Sequence, residues 1–257
     1  MLRPRIIPCL LIHNKGLYKT VNFKNHKYVG DPLNAVKIFN EKEVDELFVL
    51  DIDATVEQRS PDFSLIENLA AECRMPFCYG GGVTSVEQAK KIIELGAEKV
   101  AISSSVVDNL SFVKDLSVSI GSQSVVVVLD VKKKQGLFKK GHEIFTHNGQ
   151  KKAKVDLLSL VESLNQLNIG ELVINSIDND GKMNGYDMDL AEKIRSHIDV
   201  PLTILGGAGS IRDIELLISK FEIIGASAGS LFVFKGKYRA VLINYPTREE
   251  KEKLLLS

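Results

Sequence analysis

The chain has 257 residues, 44% of them hydrophobic and 26% charged, with 33 basic and 33 acidic side chains. That apolar share supports a large core and excludes disordered and fibrous classes. The zero net charge gives no bulk attraction to nucleic acid or to an anionic membrane. Taken in chain order, short β-branched runs at 5–11, 46–51, 76–79, 99–103, 124–130, 171–175, 201–205 and 223–227 predict eight strands. Several are apolar nearly throughout, as at 125–129, which suits parallel strands covered on both faces. Amphipathic stretches at 31–44, 62–72, 85–95, 109–119, 155–167, 187–197 and 211–220 predict helices between them, and 246–257 reads as a charged terminal helix. The first helix opens with Asp31 as N-cap and Pro32 at its first position. Eight strands alternating with about eight helices at this length predict one α/β domain over 1–257, a (β/α)8 TIM barrel. An open doubly wound sheet is the rival.

The two halves of the chain repeat. Glu46-Leu47 recurs as Glu171-Leu172, Pro76 as Pro201, Gly81-Gly82 as Gly206-Gly207, Ser105 as Ser230 and Asp53 as Asp178, each displaced by 125 residues. A four-unit half-barrel, duplicated and fused, accounts for this common register. The repeated motifs then lie across from each other at the C-terminal rim, a geometry suited to a ligand with two similar ends.

The rim motifs carry the chemistry. Gly80–Gly82 follows strand three and Gly206–Gly209 follows strand seven, while 103–105 and 226–230 place serines at the ends of strands four and eight. Successive glycine amides and hydroxyls at strand ends form anion sites, so two phosphate cradles are expected, one per half; tight turns alone are the plainer reading. Asp51, Asp130, Asp178 and Asp180 stand at strand ends as candidate acids or bases, or as loop caps. Asp130, directly after a fully apolar strand, is the strongest of them. The five histidines show no nucleophile–base or metal pattern and read as loop or surface residues. Residues 132–154 hold eight lysines against one acid, with the turn signal Asn148-Gly149, and predict a hairpin inserted at about 132–152. It reads either as a solvated loop or as an electropositive flap over a phosphorylated substrate. Three cysteines without ligand spacing read as reduced thiols, so neither a metal nor a cofactor is expected. No run of about 18 apolar residues spans a bilayer, and the N-terminus lacks a signal peptide's apolar region, so a cytoplasmic location is expected.

Together these motifs resemble one family over essentially the whole chain. The residues carrying the match are 5–10, Lys19 with 21–23, 30–32, 45–47, 50–52, 76–77, 80–82, 121–123, 125–127, Asp130, 176–178, 180–181, 185–187 and 206–209. The chain is similar to the cyclase subunit of imidazole glycerol phosphate synthase (HisF). The resemblance implies a (β/α)8 barrel docked to a glutaminase (HisH-like) subunit, with ammonia passing through the barrel to a bisphosphorylated ribonucleotide at the rim. It carries phosphate or substrate binding onto Lys19, Gly82, Ser103, Ser104, Asp180, Gly181, Gly207 and Ser230. It also implies an ammonia gate of Arg5, Glu46, Lys99 and Glu171, and a partner-docking acid at Glu98.

One position departs from the family. The cyclase uses two aspartates, ending strands one and five; aligning 6–11 on 125–130 makes the second Asp130 but the first Leu11. Leucine exchanges no proton, and one lost acid–base partner typically costs about 10²–10⁴-fold. A missing aspartate beside an intact gate resembles a divergent branch linked to surface-polysaccharide genes. That likeness implies ammonia transfer toward an ATP-dependent amidating enzyme that makes acetamidino sugars. The alternative is a true cyclase, a lyase of histidine biosynthesis, and cyclase activity is the uncertain element. A barrel that only scaffolds a partner is a third reading.

Overall fold

The computed structural model describes residues 3–136 and 141–256. Eight strands close into a parallel barrel: β1 Arg5–His13, β2 Leu47–Asp51, β3 Phe77–Gly80, β4 Lys99–Ile102, β5 Val125–Lys133, β6 Glu171–Ser176, β7 Leu202–Leu205 and β8 Gly225–Ala228. Each pairs in parallel with the next, and β8 returns to β1 through Arg5↔Gly225 and Pro8↔Ala228. Closure removes the sheet edges and rules out the doubly wound rival. The pairs related by the 125-residue repeat sit on opposite strands: Pro76 and Pro201 lead into β3 and β7, and Gly81-Gly82 and Gly206-Gly207 follow them.

Among the described residues, seven helices of eight residues or more line the barrel wall, Pro32–Glu41, Phe63–Glu72, Val86–Glu94, Ser111–Ile120, Leu157–Gln166, Met188–Arg195 and Ile211–Phe221. The first follows the predicted signal: the Asp31 side chain accepts from Asn34 N at 2.9 Å, and Pro32 at the first position has no N–H to leave unpaired. The helix ends at Glu41, before the predicted 44. The terminal helix, Arg248–Leu256, packs under the barrel, where Lys251 Nζ donates to Asp45 Oδ1 at 2.9 Å and Tyr245 Oη to the Ile6 carbonyl at 2.8 Å.

Two strands run more than one residue past the predicted ends. β1 continues to His13 and pairs antiparallel with Gly16–Val21, which pairs with Lys24–Gly30. Both turns are two residues long with positive φ, at Asn14-Lys15 and Asn22-Phe23, the twist a tight hairpin demands. Neither turn carries glycine, so the usual hairpin signal is missing from the sequence. β5 likewise continues to Lys133 and pairs with His142–Thr146, followed by Lys151–Lys152. Of the lysine-rich segment, residues 137–140, including Lys139 and Lys140, lie outside the described residues.

Strand alternation gives two apolar layers. Outward side chains pack under the helices in the main core, while Ile7, Cys9, Phe48, Cys78, Ala101, Val126, Val128, Val173 and Leu205 form a separate cluster along the barrel axis. The axial cluster divides two polar mouths.

Candidate functional site

At the C-terminal mouth lies a cavity of about 490 Å³. It gathers residues from every strand end: Leu11, Lys19, Gly82, Ser103, Ser104, Asp130, Asp180, Gly181, Gly207 and Ser230 all line it. Leu11 and Asp130 therefore face the same space from β1 and β5. The alternation of Ile7, Cys9 and Leu11 against Val126, Val128 and Asp130 explains why: both series point to the axis.

Hydrogen bonding separates the four rim aspartates. Asp51 accepts from the amides of Asp53 and Ala54 at 2.9 and 3.1 Å, capping its own loop. Asp178 accepts from Lys133 N at 2.7 Å. Asp180 accepts from Thr20 Oγ1 at 2.8 Å and Phe23 N at 3.3 Å, and so ties the first hairpin to the loop after β6. Among the described residues Asp130 has one protein partner, Asn175 Nδ2 at 2.9 Å. Loss of water around it, enclosed by Leu11, Leu50, Val128 and Leu205, lifts its pKa to about 7; the Asn175 hydrogen bond opposes the shift and the Asp180 charge adds to it.

Asn175 was not among the predicted site residues. It is the third inward position of β6, after Glu171 and Val173, and the same period-two count that finds Asp130 finds it. Its Oδ1 is buried without a protein partner among the described residues. Lys19 Nζ donates to the Cys9 carbonyl, and burial pulls its pKa down. A Cβ on Gly229 would stand 2.7 Å from this Nζ, so a side chain there would displace the end of Lys19. Burial likewise raises the Cys9 thiol to about 11, which keeps it protonated.

The glycine runs are sterically required. Gly207 has φ +116°, and a Cβ there would fall on the Gly185 carbonyl; Gly181, at φ +67°, would strike the Thr20 carbonyl. The backbone packing asks for glycine in its own right, so the tight-turn reading holds alongside the location of both runs on the cavity wall. The hairpin after β5 contributes His147 and Asn148, and Asn148 Nδ2 donates to the Ile52 carbonyl at 2.7 Å across the mouth. Among the described residues, none of its lysines lines the cavity; Lys133 pairs with Asp187 at 3.0 Å and Lys152 with Glu143 at 2.7 Å. The surface-loop reading is the one these contacts support. The histidines need correction in part: His26 and His147 line the mouth, and His13 stacks on His26 with centroids 4.5 Å apart while bonding Asp53 at 2.7 Å.

At the opposite mouth, Arg5, Lys99 and Glu171 open β1, β4 and β6, and Glu46 precedes β2. They form a closed ring: Arg5 bonds Glu46 and reaches Glu171 at 2.9 Å, and Lys99 reaches Glu46 at 2.6 Å and Glu171 at 2.8 Å. The Thr203 hydroxyl also donates to Glu171. Burial alone disfavours every charge, yet Arg5 and Lys99 together hold the Glu171 pKa below the usual carboxylate range. Burial and the Glu171 charge instead lift Glu46. Exposed Glu98 sits beside this mouth and accepts from Phe77 N at 2.8 Å.

Residues 5–239 match the family described as Histidine biosynthesis protein. A Vibrio vulnificus protein provisionally named imidazole glycerol phosphate synthase subunit hisF3 is 56% identical, over 99% of this chain and 97% of that protein. The chain belongs to the HisF family. A Leptospira interrogans relative, provisionally named subunit HisF, is 52% identical over 99% of both chains. The imidazole glycerol phosphate synthase subunit HisF of Streptococcus mutans is 36% identical, over 90% of this chain and 91% of its own. Within the family the chain stands nearer the provisionally named group, which includes a Pseudomonas aeruginosa hisF2 at 49% identity over 96% of this chain and 97% of that protein, consistent with a divergent branch. Among the described residues no helix is long and apolar enough to cross a membrane.

Proposed function

We propose that this HisF-family chain is the synthase subunit of a glutamine amidotransferase complex whose ammonia serves a reaction other than imidazole ring closure. The carrying observation is that Leu11 faces Asp130 across the cavity while the ring of Arg5, Glu46, Lys99 and Glu171 at the other mouth is complete. In this reading a glutaminase docks on the ring face beside Glu98. The ring admits ammonia, the apolar axis around Phe48, Cys78 and Val173 carries it without offering a proton, and it emerges beside Asp130. Two anion cradles, Gly82 with Ser103 and Ser104, and Gly181 with Gly207 and Ser230, hold a bisphosphorylated ligand. With one acid–base group where ring closure uses two, the nitrogen passes to an amidating partner, and sugar amidination for surface polysaccharide is the acceptor chemistry proposed.

The test is a cyclase assay with the family's ribonucleotide substrate and free ammonium salt. Substrate binding with turnover lowered at least about 10²-fold against an ordinary family member is expected; turnover near the ordinary rate would overturn the reading. A second reading, a working cyclase, draws on Asp130 itself, since a carboxyl of pKa about 7 both gives and takes a proton at neutral pH. It requires that Leu11→Asp change turnover little.

A further inference from the structure

Four aromatic rings form one continuous line along the first hairpin. Tyr28 packs against Tyr18 with centroids 5.3 Å apart, Tyr18 meets His13 edge-on at 4.9 Å, and His13 stacks on His26 at 4.5 Å with 24° between the planes. Asp53, 8% exposed, fixes His13: one carboxylate oxygen bonds its Nδ1 at 2.7 Å and the other accepts from Asn14 N at 2.7 Å. Its repeat mate Asp178 also accepts a backbone amide, from Lys133 at 2.7 Å, but among the described residues it supports no ring. The Asp53–His13 bond is thus added to an anchor that both halves share. His13 becomes a rigid backing. His26, exposed at the lip of the cavity, covers that backing with one face and has no second ring contact among the described residues.

A flat, exposed imidazole on a fixed support suits a planar π-system, and nucleotide bases stack on histidine as on other aromatic side chains. The surroundings favour a phosphorylated one. Residues 14–30 hold Lys15, Lys19, Lys24 and Lys27 and no acid. The hairpin also rests on one anion cradle: Gly181 packs against the Thr20 carbonyl, and Lys19 Nζ reaches Gly229, next to Ser230. We propose that His26 is a stacking site for the base of a nucleotide whose phosphate sits in the cradle of Gly181, Gly207 and Ser230. The base then lies at the outer lip rather than on the cavity floor with Asp130. His13 and Asp53 are positioning residues that hold the His26 ring. The inference rests on the reading that this cradle takes a phosphate.

The experiment titrates the isolated full chain with adenosine monophosphate and, in parallel, with ribose 5-phosphate at fixed pH. The His26 ring C–H signals and the Gly181 and Gly207 amides are read in ¹³C–¹H and ¹⁵N–¹H spectra. His26→Ala, a change at an exposed side chain, assigns the ring signals by their loss. Both ligands should move the glycine amides saturably, and only the nucleotide should shift the His26 ring upfield, through the ring current of a stacked base. His26→Ala should weaken nucleotide binding about 5-fold or more and leave ribose 5-phosphate binding as it was. His26→Phe, flat but without ring nitrogens, should restore the difference. His13→Leu should narrow the ratio of the two affinities without moving that of ribose 5-phosphate. An equal His26 response to both ligands marks a phosphate contact and overturns the proposal, as does His26→Phe binding the nucleotide no better than His26→Ala. A silent His26 beside responding glycines would sink this site alone; ring and glycines silent to both ligands would sink the cradle reading with it.

Discussion

Replacing Asp130 by asparagine isolates the cost of the charge at the cavity floor. Asparagine keeps the shape and an oxygen for the Asn175 N–H at 2.9 Å but never ionises. In the folded chain Asp130 holds its proton up to about pH 7, against 3.8 for an ordinary aspartate. The folded state therefore binds more protons than the unfolded state between those two values. Its contribution to stability is complete below pH 3.8 and is lost as pH rises to about 7. Each pKa unit corresponds to about 1.4 kcal/mol, so the window from pH 5 to 7 holds up to about 2.7 kcal/mol; solvent reaching the cavity reduces this to about 1–2 kcal/mol. Asp130→Asn should thus stabilise the chain by about 1–2 kcal/mol more at pH 8 than at pH 5, or some 2–8 °C in Tm at about 2–4 °C per kcal/mol for a chain of this size. Urea unfolding of both proteins at the two pH values measures the double difference, in which other titrating groups cancel. An equal effect at both pH values, or a larger gain at pH 5, would refute the argument that burial holds the proton on Asp130.

At the other mouth, Glu171→Gln should cost about 3 kcal/mol, the lower end for breaking a buried pair, because Arg5 and Lys99 retain 24% and 21% of their side-chain surface in solvent. Glu46→Gln, which loses no hydroxyl partner, should cost less; denaturant midpoints of the two variants give the order. Gly207→Ala pushes a Cβ onto the Gly185 carbonyl, whereas Gly236, at φ +73°, has nothing within 4 Å. The first should cost more than about 3 kcal/mol and the second about 1–2 kcal/mol, read from the same unfolding curves. Leu11→Asp places a second carboxyl opposite Asp130: cyclase turnover should rise by about 10²-fold or more, while stability at pH 8 falls, measured by steady-state assay and thermal melt on one preparation.

The apolar strands and the 125-residue repeat made the barrel and both of its mouths legible. Once 125–130 is a parallel strand with period-two alternation, Asp130 must face the axis, and the same count on 6–11 puts Leu11 opposite. The glycine and serine positions follow from the repeat in the same way. What sequence could not resolve was the state of each polar group, because its partners are remote in the chain. Asp180 is spent on Thr20, 160 positions away, and Asp130 is held by Asn175, 45 positions away. Four aspartates look alike in the sequence, and only the closed barrel shows that three are occupied by loop amides and hairpin hydroxyls. The meander after β1 was hidden for a different reason: its two turns reach positive φ with Asn-Lys and Asn-Phe, and pairing with the extended β1 supplies what glycine would otherwise provide. Strand periodicity is local and survives in the sequence. The protonation of Asp130 and the unpaired oxygen of Asn175 depend on desolvation by residues from several strands at once, and exist only after the barrel closes.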